Sequence, residues 1–120
     1  MRASEKTHLL IVEDDPLIGF DLAVELEAAG FTVVGVAPTV HKALHLLERN
    51  HCDLAVLDVN LGRETSAPIA RALAAAGVPF VAVTGYSVDQ CPEEFATAPL
   101  LSKPFQTSRL VAALRRQLHP

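Results

Sequence analysis

The chain has no tryptophan and only one tyrosine and one methionine, and its two cysteines share no metal-binding or redox spacing. So few rings exclude an aromatic-rich β-sandwich, and so little cysteine excludes a disulfide scaffold. Cys52 and Cys91 are expected to remain thiols in a reducing compartment. Positive charge is also scarce. Ten Lys and Arg stand against fourteen Asp and Glu, a net charge of −4, and no dense basic run occurs, which argues against nucleic acid and anionic membrane as direct partners. No apolar run is long enough for a membrane span, and Arg2, Glu5 and Lys6 do not make a secretory leader. The expectation is a cytoplasmic, soluble protein.

What the chain does have is aliphatic. Half of its 120 residues are hydrophobic, mostly Leu, Val, Ile and Ala, and this length makes one domain that buries a core without disulfide or structural metal. Short apolar runs alternate with stretches of helical period. His8 to Val12 reads as a strand, followed by Glu13, Asp14 and an N-cap at Asp15 before Pro16. The helix that follows is expected to face inward through Leu17, Ile18, Leu22, Leu26 and Ala29, and to close at Gly30. Phe31 to Val36 is a second strand. Thr39 caps a second helix, with Asn50 as a left-handed exit, in which His41 and His45 lack a third ligand and read as an exposed polar face.

Leu54, Ala55, Val56 and Leu57 form a continuous apolar run suited to a strand covered on both faces, and Asp58 stands where that strand ends. Asn60 to Ser66 reads as a polar loop, Pro68 to Ala76 as a helix and Val78 to Val83 as a strand ending in Thr84, Gly85 and Tyr86. Ser87 to Ala98 is a poorly formed helix broken by Pro92, and Leu100 and Leu101 are the remnant of a fifth strand before Ser102, Lys103 and Pro104. The last helix is capped near Thr107 or Ser108, and Arg109, Arg115 and Arg116 complement its C-terminus. The order βαβαβαβαβα predicts an α/β fold, a doubly wound, flavodoxin-like (CheY-like) parallel sheet of five strands in the order 2-1-3-4-5 with five helices.

In such a sheet the strand ends share one edge. Glu13 and Asp14 follow the first strand, Asp58 the third, Thr84 the fourth and Lys103 the fifth, so these groups should converge. Three clustered carboxylates repel one another unless a cation joins them, and hard oxygen donors with room for water suit Mg²⁺. Lys103 and the Thr84 hydroxyl add the cation and donor that a phosphoryl group on Asp58 would need.

Ile-Val-Glu-Asp-Asp at 11–15, Leu-Asp-Val-Asn-Leu-Gly at 57–62, Val-Thr-Gly-Tyr at 83–86 and Ser-Lys-Pro-Phe at 102–105 resemble, in order, the motif set of response-regulator receiver domains. The resemblance implies a Mg²⁺-dependent phosphoryl switch. Asp58 matches the phosphoacceptor, Asp14 and Asp58 match carboxylate metal ligands, Glu13 acts largely through water, and Asn60 supplies its backbone carbonyl. Thr84 is drawn to the phosphoryl oxygen, Lys103 pairs with it, and the Lys103–Pro104 bond is cis. Implied partners are a sensor histidine kinase or phosphotransfer protein and a downstream protein target, with homodimer formation left open.

Leu100 departs from this pattern, since receivers usually carry Tyr or Phe there. Thr84-Gly85-Tyr86 resembles the α-proteobacterial FAT GUY subgroup, commonly partnered with kinases of the HWE or related families, so the readout is expected to run through Thr84, Gly85 and Tyr86, with Tyr86 restricting water access to the phosphoryl site. The expected organisation is a stand-alone receiver over residues 1–120 with no output domain. It is not an enzyme beyond its own phosphotransfer and dephosphorylation. Two other readings compete: a receiver-fold binding module that works independently of phosphate, and an aspartyl-phosphate phosphatase of the haloacid-dehalogenase type. The latter needs a second carboxylate two residues after Asp58, where this chain has Asn60.

Overall fold

The computed structural model describes residues 6–85 and 91–118. Its strands are β1 (Thr7–Val12), β2 (Phe31–Ala37), β3 (Leu54–Asp58), β4 (Asn60–Leu61), β5 (Glu64–Thr65), β6 (Phe80–Thr84) and β7 (Leu100–Ser102). Its helices are α1 (Pro16–Ala28), α2 (Val40–Arg49), α3 (Ala67–Ala75) and α4 (Thr107–Leu118). Five strands form one parallel sheet in the order β2-β1-β3-β6-β7, which is the expected flavodoxin-like order.

All five residues of β3 are buried because helices cover both faces of the sheet. Leu9, Ile11, Leu54, Val56, Val81 and Val83 face one layer, completed by Leu22 and Leu26 of α1 and Leu110 and Leu114 of α4. Leu10, Val12, Ala55, Leu57 and Ala82 face the other, completed by Ala43 of α2, Ile69 and Leu73 of α3 and Phe95. Each fully buried Leu, Ile or Val contributes roughly 1.5–3 kcal/mol of transfer free energy, so β3 and β6, buried at every position, are firmly seated. β2 carries a bulge: Leu9 pairs with Val33 and Leu10 with Gly35, leaving Val34 as the extra residue.

Several expectations need correction. The described residues hold four α-helices; of the weak helix expected over Ser87–Ala98, residues 87–90 lie outside the described residues, and the remainder carries a 3-10 turn at Glu93–Phe95, tied by Glu94 to Arg71 of α3. Pro92 and Pro99 leave too little uninterrupted chain for a longer helix. Leu17 and Ile18 do not face inward but are 76% and 48% exposed, because α1 carries apolar residues on its outer flank as well, while its buried positions are Gly19, Leu22 and Leu26. Asn50 is extended rather than left-handed, with φ −131°. The Asn60 to Ser66 stretch includes an antiparallel ribbon, β4 pairing with β5 around a turn with Gly62 at φ +64°. Thr107 begins α4 instead of preceding it, and its hydroxyl donates to Glu25 Oε1 of α1. Arg115 and Arg116 stand in the last turn of α4, as expected, and Arg115 also donates to Ala29 O at the C-cap of α1.

Candidate phosphoacceptor site

The register of the sheet brings the acidic residues together. Val12 pairs with Leu57, so Glu13 and Asp58 emerge side by side from adjacent strands. Asp58 in turn pairs with Val83, and Thr84 pairs with Ser102, which sets Lys103 beside the same edge. The backbone fixes these ends: Glu13 N donates to Ala37 O (3.0 Å), Val59 N to Val83 O (2.9 Å) and Lys103 N to Thr84 O (2.8 Å). The Lys103–Pro104 bond is cis, as the resemblance implied.

Glu13 and Asp58 are buried while Asp14 is exposed, and each of the three offers an oxygen within 4.8 Å of the others. Lys103 Nζ donates to Asp58 Oδ2 (2.7 Å) and lies 3.5 Å from Glu13 Oε1. The other Asp58 oxygen accepts from Asn60 N (3.4 Å), and Glu13 Oε2 accepts from Asp15 N (3.1 Å). Burial pushes the Glu13 carboxyl above the usual range, and the Asp58 charge adds to this, against the opposing bond from Asp15. Burial alone would lower the Lys103 ammonium, but its bond to Asp58 and the two carboxylate charges raise it. With all four groups ionised, two negative charges remain uncompensated, which a hard divalent cation would neutralise.

The remaining predicted residues fall as follows. Thr84 is fully buried at the end of β6. Gly85 is exposed, and neither a left-handed backbone nor crowding requires glycine there. Leu100 packs partly buried against the α2 and α3 side of the core, so it fills space rather than facing the pocket. Tyr86 lies outside the described residues. Sequence reasoning missed the ribbon: Gly62 brings its backbone beside Asp14 Oδ2, 3.8 Å from where a Cβ would stand. It also missed a groove of about 540 Å³ beside the site, with Glu13, Ile18, Leu22, Lys103 and Phe105 among its lining.

The family model for the response regulator receiver domain matches residues 9–115. The chain belongs to this family. The receiver is 32% identical to the phyllosphere-induced regulator PhyR of Methylorubrum extorquens, over 98% of its own length and 46% of PhyR. It spans about half the length of the curated relatives it matches. The solution structure of SdrG from Sphingomonas melonis Fr1 superposes with a TM-score of 0.81 at 45% identity, covering 98% of this chain and 99% of SdrG. The BeF3-activated conformation of SdrG superposes with a TM-score of 0.76 at 46% identity, covering 92% of this chain and 98% of that one. The described helices include none long and apolar enough to cross a membrane.

Proposed function

We propose that this receiver is a Mg²⁺-dependent phosphoryl switch in which Asp58 takes a phosphoryl group from a phosphohistidine on a histidine kinase or phosphotransfer protein. The supporting observation is the buried Asp58 carboxylate held between Lys103 and two further carboxylates at the sheet edge. A structural aspartate needs no such company. An SdrG conformation activated by BeF3 at 46% identity supports the same reading.

In the transfer, an Asp58 oxygen forms a bond to phosphorus as the bond from phosphorus to the imidazole nitrogen breaks, and the imidazole leaves with a proton from solvent. Lys103, already paired with Asp58, keeps its ammonium on the modified group and offsets charge on the phosphoryl oxygens. Thr84 supplies a hydroxyl from the adjacent strand end. Glu13, Asp14 and Asp58, with the Asn60 carbonyl, would hold Mg²⁺, and their all-oxygen donor set fits that ion. When bound, Mg²⁺ stabilises negative charge on the group being transferred.

The donor protein docks on α1. Leu17, Phe20 and Val24 are 76%, 65% and 54% exposed at helical spacing, and Ile18 of the same helix lines the groove that reaches Lys103. Asp21, Glu25 and Glu27 rim this stripe and the helix carries no Lys or Arg, so the complementary face is apolar with a basic rim. The test is mass spectrometry after incubation with Mg²⁺ and a small phosphodonor. Wild type gains one phosphoryl group, while Asp58→Asn and chelator-treated protein gain none. A wild type that stays unmodified at Asp58 overturns the reading.

A further inference from the structure

Glycine inside a helix costs roughly 1 kcal/mol relative to alanine, so one that persists there needs a reason. Gly19, within α1, is buried. The helix lies so close to the sheet that a Cβ at this position would stand 2.6 Å from Val36 Cγ1, and 3.7 and 3.8 Å from Cγ and Cβ of Glu13. Val36 is β-branched and stiff about χ1, and it belongs to the core layer under α1, so it does not yield as a long flexible chain end would.

The same few residues hold the acidic pocket. Glu13 is fixed by its backbone bond to Ala37, at the end of β2, and its carboxylate accepts from the backbone of Asp15, the N-cap of α1. Any lift of α1 away from Val36 therefore carries Asp15 with it, pulls on the Glu13 carboxylate and displaces Asp14 between them. We propose that Gly19 is a positioning residue for the Glu13, Asp14 and Asp58 site. Its missing side chain interlocks with Val36 and sets the height of α1 above the sheet, and so the spacing of the carboxylates. This rests on the reading of that site as a Mg²⁺ pocket.

The experiment is a Mg²⁺ titration followed by backbone amide NMR shifts, with thermal melting alongside, on wild type, Gly19→Ala, Val36→Ala, the double variant and Gly35→Ala. Gly35 is the internal comparison. A Cβ there would stand 2.8 Å from Leu46 Cδ1, toward α2 on the opposite face of β2. Gly19→Ala is expected to bind Mg²⁺ about tenfold more weakly, the usual scale for losing support behind a ligand. The double variant should recover most of the loss because Val36→Ala makes room for the new methyl group. Gly35→Ala, whose new methyl meets the flexible end of the Leu46 side chain, should keep wild-type Mg²⁺ affinity. Should Gly19→Ala alone not fold, the double variant is compared with Val36→Ala, and equal affinity is expected. Wild-type affinity in a folded Gly19→Ala, or a double variant that stays weak, overturns the proposal alone. A wild type that binds no Mg²⁺ overturns the metal reading and this inference with it.

Discussion

Lys103 Nζ donates to Asp58 Oδ2 across 2.7 Å while standing 3.5 Å from Glu13 Oε1. One ammonium is therefore shared by the buried acids at the ends of two adjacent strands. Lys103→Met is expected to cost about 1–3 kcal/mol at neutral pH in metal-free buffer, the scale for leaving a buried polar partner unpaired. Glu13 already has its pKa raised by burial. A carboxyl with a raised folded pKa opposes folding while ionised and ceases to do so once protonated, so the deficit should narrow as pH falls from neutral through that raised pKa. Urea unfolding across pH, with and without Mg²⁺, measures both effects, and Mg²⁺ should restore part of the loss.

Changes on the α1 stripe should separate docking from chemistry. Phe20→Ser is exposed enough to leave the melting temperature close to wild type. It should slow phosphotransfer from a phosphorylated kinase about tenfold, the scale of losing one central anchor, and leave the rate with a small phosphodonor unchanged. Equal slowing with both donors would place the effect at Asp58 instead of the interface.

The entry of β3 has its own carboxylate clasp. Asp53 N donates to His8 O (2.8 Å), His8 N returns a bond to Asp53 Oδ2 (2.9 Å), and His51 Nε2 lies 2.6 Å from Asp53 Oδ1. Burial raises the Asp53 pKa, but the His8 and His51 interactions outweigh it and hold the carboxyl below the ordinary range. A lowered acid contributes stability above its unfolded pKa and loses it as pH falls through the folded one. Asp53→Ala should therefore be about 1 kcal/mol less stable at neutral pH, allowing for partial exposure, and the gap should close only in strong acid. Denaturant midpoints over an acid series report this.

Thr84 can be tested by a change of similar shape. Thr84→Val keeps the shape of a fully buried residue and removes its hydroxyl. It should still accept a phosphoryl group at Asp58, yet show a much smaller change in amide shifts between free and beryllofluoride-loaded protein. A full-sized change would remove Thr84 from the readout.

The residues of the candidate site were legible because each follows a short apolar run. In a parallel sheet, reading where strands end is enough to gather Glu13, Asp14, Asp58, Thr84 and Lys103 at one edge. The order of the sheet followed from the same alternation. What escaped had no periodic signal. The β4–β5 ribbon is two residues on each side and polar, α1 is apolar on both its buried and its exposed flanks, and the Asp53 clasp joins positions 45 residues apart. The fit of Gly19 against Val36 depends on how closely a helix approaches the sheet, which no local pattern encodes.

The two outer strands bear on how the protein behaves when concentrated. β7 has three residues, with Pro99 before it and Pro104 soon after it, so its outer edge presents too short a row of backbone groups to recruit another strand. β2, at the other margin, is longer, but the extra residue at Val34 breaks its hydrogen-bonding rhythm midway. A sheet made almost entirely of aliphatic residues thus ends on both sides in strands that discourage stacking into fibrils. The exposed apolar stripe on α1 can therefore be kept for the docking proposed above without the sheet margins becoming sticky toward copies of the same chain.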